Sequence, residues 1–353
     1  MNRIGSAAAA LAAGWLLYRR ARPGDRLDGE VALVTGGSRG LGLLLARDLV
    51  RHGVSVAICA RDTQELEVAR ADLERRGGNV LAIRCDVASA DEVAGMVDVV
   101  RDHFGRIDIL VNNASVIQVG PLEAMTLEDF RHAVDVNFYG TLHCTLAVLP
   151  EMRHRGRGRI ANITSIGGVI AVPHLLPYSC GKFAAVGLSE GLRSELAVSG
   201  ISVTTVVPGL MRTGSPVNAL FKGQASREFA WFSVADGTPL TAISAERAAR
   251  RIVRGIRRRE ATVVLSWPAH IGRLVHGVAP GFTADLLGVA NRLLPASDGP
   301  STGAVPGGRI RTRITRSPLT SLMYRAARRN NELGGVIGRG AVPGVDAGTG
   351  GRP

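Results

Sequence analysis

Tyr178 and Lys182 stand four residues apart in Tyr178-Ser179-Cys180-Gly181-Lys182. At the start of a helix, positions i and i+4 share one face, so the spacing sets the Lys182 ammonium beside the Tyr178 phenol. A neighbouring cation favours the phenolate and lowers a phenol's pKa from its usual value of about 10. Such a pair can exchange a proton with a bound oxygen near neutral pH. Ser165 closes the run Asn162-Ile163-Thr164-Ser165, where its hydroxyl can hold the same oxygen. Alone, a Tyr-x-x-x-Lys spacing is commonplace and mostly marks a surface pair, so the rest of the chain has to decide.

The elements that must position these groups begin with a glycine-rich run, Thr35-Gly36-Gly37-Ser38-Arg39-Gly40-Leu41-Gly42. It follows the apolar stretch Val31–Thr35 and opens the amphipathic stretch Leu41–His52. Glycines let a backbone turn sharply, approach a pyrophosphate and pack a helix on a sheet. The helix then points its free N–H groups and positive dipole end at the phosphates. A glycine-rich run alone also describes an ordinary strand–helix turn; its place at the head of the fold is what a dinucleotide site requires. The second strand, Val54–Ala60, ends at Arg61, where NAD sites usually carry an acid for the ribose 2′-hydroxyl. Arg39 lies inside the glycine loop. Two guanidinium groups near the 2′ position suit a phosphate, so NADP(H) is expected over NAD(H). Asp62, one residue on, is the side chain that would reach a ribose instead.

Further strands are expected at Val80–Cys85, Ile107–Val111, Arg159–Thr164, Ile201–Val207 and Ala261–Ser266. Helical spacing fills 63–76, 89–104, 126–154 and 177–199. Val- and Ile-rich strands without polar alternation are buried on both faces, and strand–helix alternation builds a parallel sheet. The expected class is α/β: a Rossmann-type doubly wound parallel sheet of about seven strands, with a hydrophobic N-terminal helix and an irregular or helical C-terminal extension. The divisions are a hydrophobic segment with a basic flank at 1–26, an NADP-binding catalytic domain at 27–266, a helical extension with a linker at 267–333, and a disordered tail at 334–353. Residues 267–294 look like short amphipathic helices that pack on the domain or lie on a membrane.

Composition bounds the function classes. The chain has 353 residues, 46% hydrophobic and 21% charged, with net charge +13, enough to bury a sizeable core. The arginine excess clusters at 19–26, 153–159, 247–259 and 309–329. Neither zinc-finger spacing nor an RNA-binding aromatic signature accompanies it, so nucleic acid is not expected. Cys59, Cys85, Cys144 and Cys180 show no CxxC or metal-ligand spacing. They read as reduced thiols of a cytoplasmic domain, with no metal. Ile4 to Tyr18 is free of charge and precedes Arg19, Arg20, Arg22 and Arg26. Fifteen helical residues reach only about 22 Å, short of the roughly 20 residues a span needs. The segment reads as a marginal anchor or interfacial helix with the catalytic domain on the cytoplasmic side; the other readings are a signal peptide, or a helix packed on the protein itself or on a partner subunit.

Taken together, these residues resemble the short-chain dehydrogenase/reductase family over about Leu27 to Ser266. The resemblance rests on the Thr-Gly-x-x-x-Gly-x-Gly loop at 35–42, Asp86-Val87, Asn112-Asn113-Ala114, Asn137, Ser165, Tyr178, Lys182, and Pro208-Gly209 with Thr213. It implies an enzyme that interconverts a carbonyl and an alcohol. Tyr178 would be the general acid or base, and Lys182 would bind the nicotinamide ribose and tune Tyr178. Ser165 would stabilise the substrate oxygen, and Asn137 would support a water-mediated relay through Lys182. Thr35, Gly36, Ser38, Arg39, Gly40, Leu41 and Gly42 would cradle the cofactor. Arg61 would reach the 2′-phosphate, and Asp86 with Val87 the adenine. Asn113 and Ala114 would line the cleft, and Pro208, Gly209 and Thr213 would border the nicotinamide. Family members commonly pair through long flanking helices, so a homodimer or homotetramer is implied. Ser115 and Gly181 depart from the usual Gly and Ser, and Gly181 is a candidate for making room for cofactor or substrate. The rival reading is a catalytically silent NADP-binding scaffold or regulator of the same fold.

Substrate choice in this family lies after the sixth strand, here Leu210 to about Leu240. Met211, Phe221, Phe229, Trp231 and Phe232 make that segment a candidate apolar lid. Ile117, Val169, Ile170, His174, Leu175 and Leu176 are candidates for the opposite wall. An apolar carbonyl or alcohol is the expected substrate; simple packing of the lid is expected for about half of these side chains.

Overall fold

The computed structural model of the chain describes residues 24–237, 242–297, 299, 303–310, 312 and 318–333. The expected N-terminal helix and the tail at 334–353 lie outside the described residues.

Seven apolar runs form one parallel sheet: β1 (Val31–Thr35), β2 (Ser55–Ala60), β3 (Val80–Arg84), β4 (Ile109–Asn112), β5 (Gly158–Ile163), β6 (Ile201–Pro208) and β7 (Thr262–Leu265). Their spatial order is β3-β2-β1-β4-β5-β6-β7. The order reverses between β1 and β4, and ligands of such sheets bind at the carboxyl ends beside that reversal. β1 and β4 are buried along their whole length, which is why their sequences lack polar alternation.

Helices α1 (Gly40–Arg51), α2 (Thr63–Glu74) and α8 (Ala245–Arg257) contribute to the core on one face of the sheet. Helices α3 (Ala90–Phe104), α5 (Gly140–His154) and α6 (Leu176–Glu195) contribute to the core on the other. Asp62 caps α2 through the Glu65 amide, and Ser89 caps α3 through the Glu92 amide. Thr126 and Asp129 close a capping box on α4 (Leu127–Val134). At α1, Arg39 supplies no side-chain cap.

Arginines from two of the clusters pair inside the fold. Arg159 holds Glu30 at 2.6 Å and Asp25 at 2.9 Å, Arg155 holds Asp108 at 2.6 Å, and Arg259 holds Asp25 at 2.9 Å. These pairs tie the chain entering at Asp25 to the amino ends of the strands, opposite the site.

After β6 come the segment 209–224 and helix α7 (Ala225–Gly237). Beyond β7, helices α9 (Trp267–Val278) and α10 (Pro280–Asn291) project from the domain with little buried surface. Within the expected linker, Val305–Pro306 pairs antiparallel with Leu220–Phe221, which pairs parallel with Gln118–Val119. Helix α11 (Pro318–Arg329) falls within the expected helical extension; its contacts are chiefly with α7. Among the described residues no helix is long and apolar enough to cross a membrane.

Candidate active site

Ser165, at the end of β5, Tyr178 and Lys182 face one cavity of about 750 Å³ at the carboxyl ends of β1 and β4–β6. Pro177 in the first turn of α6 fixes the helix start, and one turn then places Lys182 Nζ 5.7 Å from the centre of the Tyr178 ring. Lys182 is buried and donates to the Ile163 carbonyl at 3.0 Å. Ser165 Oγ accepts from the Gly167 amide at 3.0 Å. Burial pushes the Tyr178 phenol up to about 12, with a hydrogen bond to Ser165 opposing it and the Asp236 charge adding to it. Burial pushes the Lys182 ammonium down to about 7. The expected lowering of Tyr178 by Lys182 is therefore overridden in this environment, where desolvation dominates.

Asn137 sits on a π-helical turn, Asp135–Tyr139, between α4 and α5. The wider turn carries its side chain inward. Its Oδ1 accepts from Ser115 Oγ at 2.7 Å and from the Val116 amide at 3.3 Å, and its Nδ2 donates to the Val116 carbonyl at 3.0 Å. The side chain braces the end of β4 from behind the cavity wall. A Cβ added at Gly181 would lie 2.8 Å from the Ala133 carbonyl oxygen and 3.0 Å from Asn137 Cβ. Gly181 thus makes room for the α4–π-turn backbone rather than for a ligand. Beneath the site a buried polar chain crosses the core. Asn112 donates to Asn162 at 2.9 Å, Asn162 donates to Ser189 at 3.0 Å, and Ser189 shares a 2.7 Å hydrogen bond with Thr205. It locks α6 to β4, β5 and β6.

The cofactor-side residues gather on the same cavity. Gly36, Ser38, Arg39, Gly40, Leu41, Arg61, Asp86, Val87, Asn113, Ala114, Pro208, Gly209 and Thr213 line it. Thr35, Gly42 and Asn137 stand behind the wall. Thr35 Oγ1 accepts from the Asn113 and Ala114 amides at 2.9 and 3.0 Å. A Cβ on Gly42 would lie 2.1 Å from the Gly36 carbonyl oxygen. Arg39 pairs with Glu65 at 2.7 Å, and Ser38 Oγ donates to Glu65 at 3.1 Å. Arg61, largely exposed, lies 3.8 Å from Asp86. Asp62 is committed to capping α2. The α1 terminus, which Arg39 does not cap, the glycine loop and the cavity's size fit a dinucleotide.

Residues 30–220 match the family model described as short chain dehydrogenase. The chain belongs to the short-chain dehydrogenase/reductase family. It is 37% identical over 193 residues to a 3-oxoacyl-[acyl-carrier-protein] reductase from Synechocystis, covering 54% of this chain and 78% of that protein. It is 34% identical over 245 residues to the putative oxidoreductase SadH of Mycobacterium tuberculosis, covering 69% and 88%. A short-chain dehydrogenase from Streptomyces avermitilis superposes with TM-score 0.65 at 30% identity, covering 74% of this chain and 97% of that one. A gluconate 5-dehydrogenase from Burkholderia cenocepacia, in complex with NADP and tartrate, superposes with TM-score 0.61 at 27% identity, covering 70% and 97%. The chain is therefore an oxidoreductase of this family.

On the substrate side of this dehydrogenase/reductase, Ile117, Leu175, Met211, Trp231 and Phe232 line the cavity. Phe221 and Phe229 are buried against each other, ring centres 5.4 Å apart. Val169, Ile170, His174 and Leu176 do not reach the cavity. His174 instead meets Glu228 at 2.8 Å, and the Trp231 indole donates to the same carboxylate at 2.6 Å. Sequence reasoning missed Glu228, Glu65, Asp236 and Glu332. Asp236 and Glu332 line the cavity although both are buried, and burial pushes their carboxyls up to about 8 and about 7. Only a fold that returns these segments to the cleft reveals them, and no local spacing signals that return.

Proposed function

We propose that the enzyme interconverts a carbonyl and an alcohol, with Tyr178 as the proton-transferring group. The observation that carries this is the convergence of Ser165, Tyr178 and Lys182 on a cavity that also contains the glycine loop. A bound nicotinamide supplies the hydride for reduction and accepts it in the reverse direction. The Tyr178 hydroxyl donates its proton to the substrate oxygen while Ser165 Oγ hydrogen-bonds that oxygen. A phenol pushed to about 12 is fully protonated at neutral pH, which suits the reductive direction. Asn137 holds the 115–116 segment against the cavity. The catalytic unit is residues 27–266, with 267–333 as an accessory extension. The test follows NADPH absorbance against a panel of carbonyl compounds, with Tyr178→Phe as control; turnover by that variant equal to wild type would reject the assignment.

NADP(H) is preferred over NAD(H). Arg61 is exposed at the end of β2 and Arg39 lies in the loop, while Asp62 is engaged as a cap. The solved relative with NADP bound supports the same reading. Relative kcat/KM for NADPH and NADH measures it, and a tenfold NADH preference would overturn it.

The substrate is apolar, as the lining by Ile117, Leu175, Trp231 and Phe232 favours. It is drawn from an anionic bilayer on which α9 and α10 lie, holding a cytoplasmic enzyme at the membrane surface. Trp267, Ile271, Leu274 and Val278 on α9, and Phe282, Leu286 and Val289 on α10, are exposed at helical spacing. In α10 only Thr283 is buried. An amphipathic helix with one exposed apolar face and polar residues on the other lies in a membrane interface with the apolar face toward the acyl chains. Arg273 and Arg292 supply the cations that meet anionic headgroups. The arm roots at Ala269, against Gly209 of the cavity wall. Flotation with phosphatidylserine-containing vesicles tests this. Wild type floats and Leu274→Glu/Leu286→Glu stays down; equal flotation, or a dimer that dissociates in the variant without any lipid binding, would overturn it. Pairing of two chains through α5 and α6 is supported by the exposed Leu146 and Phe183. Light scattering reads it: a monomer at micromolar concentration would reject the pairing.

A further inference from the structure

Residues 330–333 leave α11 and cross the cofactor cleft from one lip to the other. On the glycine-loop side, the Gly40 amide donates to the Asn330 carbonyl at 2.8 Å. Asn331 Nδ2 donates to the Ser38 and Glu65 carbonyls, each at 3.0 Å, and Arg47 donates to Asn330 Oδ1 at 3.2 Å. On the other side, the Gly214 amide donates to Glu332 Oε2 at 2.7 Å, and Asn218 Nδ2 donates to the Glu332 carbonyl at 3.2 Å. Leu333, Met323 and Ala327 bury against Val217 beside it. The strap is thus a built contact, and Glu332 is 4% exposed within it.

Its carboxylate stands at the amino end of α1. Gly40 has φ +56°, and a Cβ there would lie 2.9 Å from Glu332 Oε1. The same helix end, with Thr213 and Ser215 opposite, is where the cofactor's diphosphate has to approach. We infer that Glu332 is an internal anion set against the cofactor's diphosphate, so that the strap carrying it opposes dinucleotide binding and sets its affinity. The inference rests on the cofactor reading above. Binding requires Glu332 either to swing out with the strap or to take up a proton where it is. The charged groups that face it are Arg39 from the glycine loop, Glu65 from α2 and Asp236 from α7. Arg39 favours the carboxylate, as does the Gly214 amide; Glu65 disfavours it, and burial outweighs them all, raising Glu332 to about 7. The neutral form therefore prevails below that pH and the charge appears above it. Cofactor affinity falls as pH rises through about 7.

Isothermal titration of the full chain with NADPH, from pH 5.5 to 8.5, reads this without turnover. Two unit charges a few ångströms apart in a partly screened cleft correspond to roughly a tenfold change in affinity. Glu332→Gln is expected to bind NADPH about that much more tightly at pH 8.5, to match wild type at pH 5.5, and to keep only the pH slope of the cofactor itself. Asn331→Ala, which loosens the strap and leaves the charge, tightens binding by a smaller factor. Inorganic diphosphate as competitor shows the same ranking. Weaker binding by either variant would make the strap a supporting wall and overturn the inference, as would a Glu332→Gln profile identical to wild type. A wild-type chain that binds neither NADPH nor NADH would remove the cofactor reading and the inference with it.

Discussion

Burial moves Tyr178 and Lys182 in opposite directions, each toward its neutral form. Tyr178→Phe deletes the proton and keeps the ring. We expect a loss of about 10²- to 10⁴-fold in kcat/KM, in the range of general acid catalysis, with NADPH affinity by titration unchanged. Gly181 makes a sharper structural test. Restoring the family's more usual residue, Gly181→Ser, puts a Cβ 2.8 Å from a backbone oxygen that has no rotamer to escape into. Overpacking of this kind costs about 1–3 kcal/mol. Its second contact is Asn137, so activity should fall along with the urea midpoint. An equally stable, equally active variant would show that α4 and α6 part freely.

Helices and turns decide which of the apolar candidates meet the substrate. Glu228 on α7 receives both the His174 ring and the Trp231 indole, and it is fully buried. Glu228→Ala leaves the indole N–H without its acceptor and frees Trp231 from the cavity wall. We expect KM for apolar substrates to rise severalfold while kcat changes less, and stability to drop by about 1–3 kcal/mol; an unchanged KM would make the clamp a packing detail. This contact was illegible beforehand because Trp231 and Glu228 meet His174 only through the tertiary fold. The strands, by contrast, were legible because runs such as Val31–Thr35 are buried on both faces, and the reacting set was legible because α6 brings Tyr178 and Lys182 together within one turn. What periodicity could not reach was the return of distant chain. Asn331 meets Ser38 across 293 positions, and the expected linker supplies a strand at Val305–Pro306 instead.

At the scale of the whole molecule, two sets of carboxyl groups among the described residues have opposite effects on stability. Asp25, Asp72, Asp108 and Asp129 lie below the usual range because arginine or lysine partners outweigh their burial. Their stabilisation is present above the ordinary aspartate pKa and is lost as pH falls below it. Asp236 and Glu332 are raised, chiefly by burial, to about 8 and about 7. The folded chain keeps those two protons where the unfolded chain has released them, so stability is full below about pH 4 on their account and is lost as pH rises through 7 to 8. Lys182, lowered to about 7, acts in the other sense. The unfolded chain holds its proton from pH 7 to 10 and the folded chain does not, so stability recovers over that interval. The cofactor-free enzyme is therefore expected to be most stable near pH 5, to lose stability toward pH 8, and to regain part of it by pH 10. Each proton sets a slope of about 1.4 kcal/mol per pH unit where it differs between the states. Urea midpoints across this range check the shape. The double variant Asp236→Asn/Glu332→Gln should flatten the fall between pH 5 and 8 and leave the recovery above it. A wild-type profile already flat from pH 5 to 8 would mean that neither acid is held neutral in the fold.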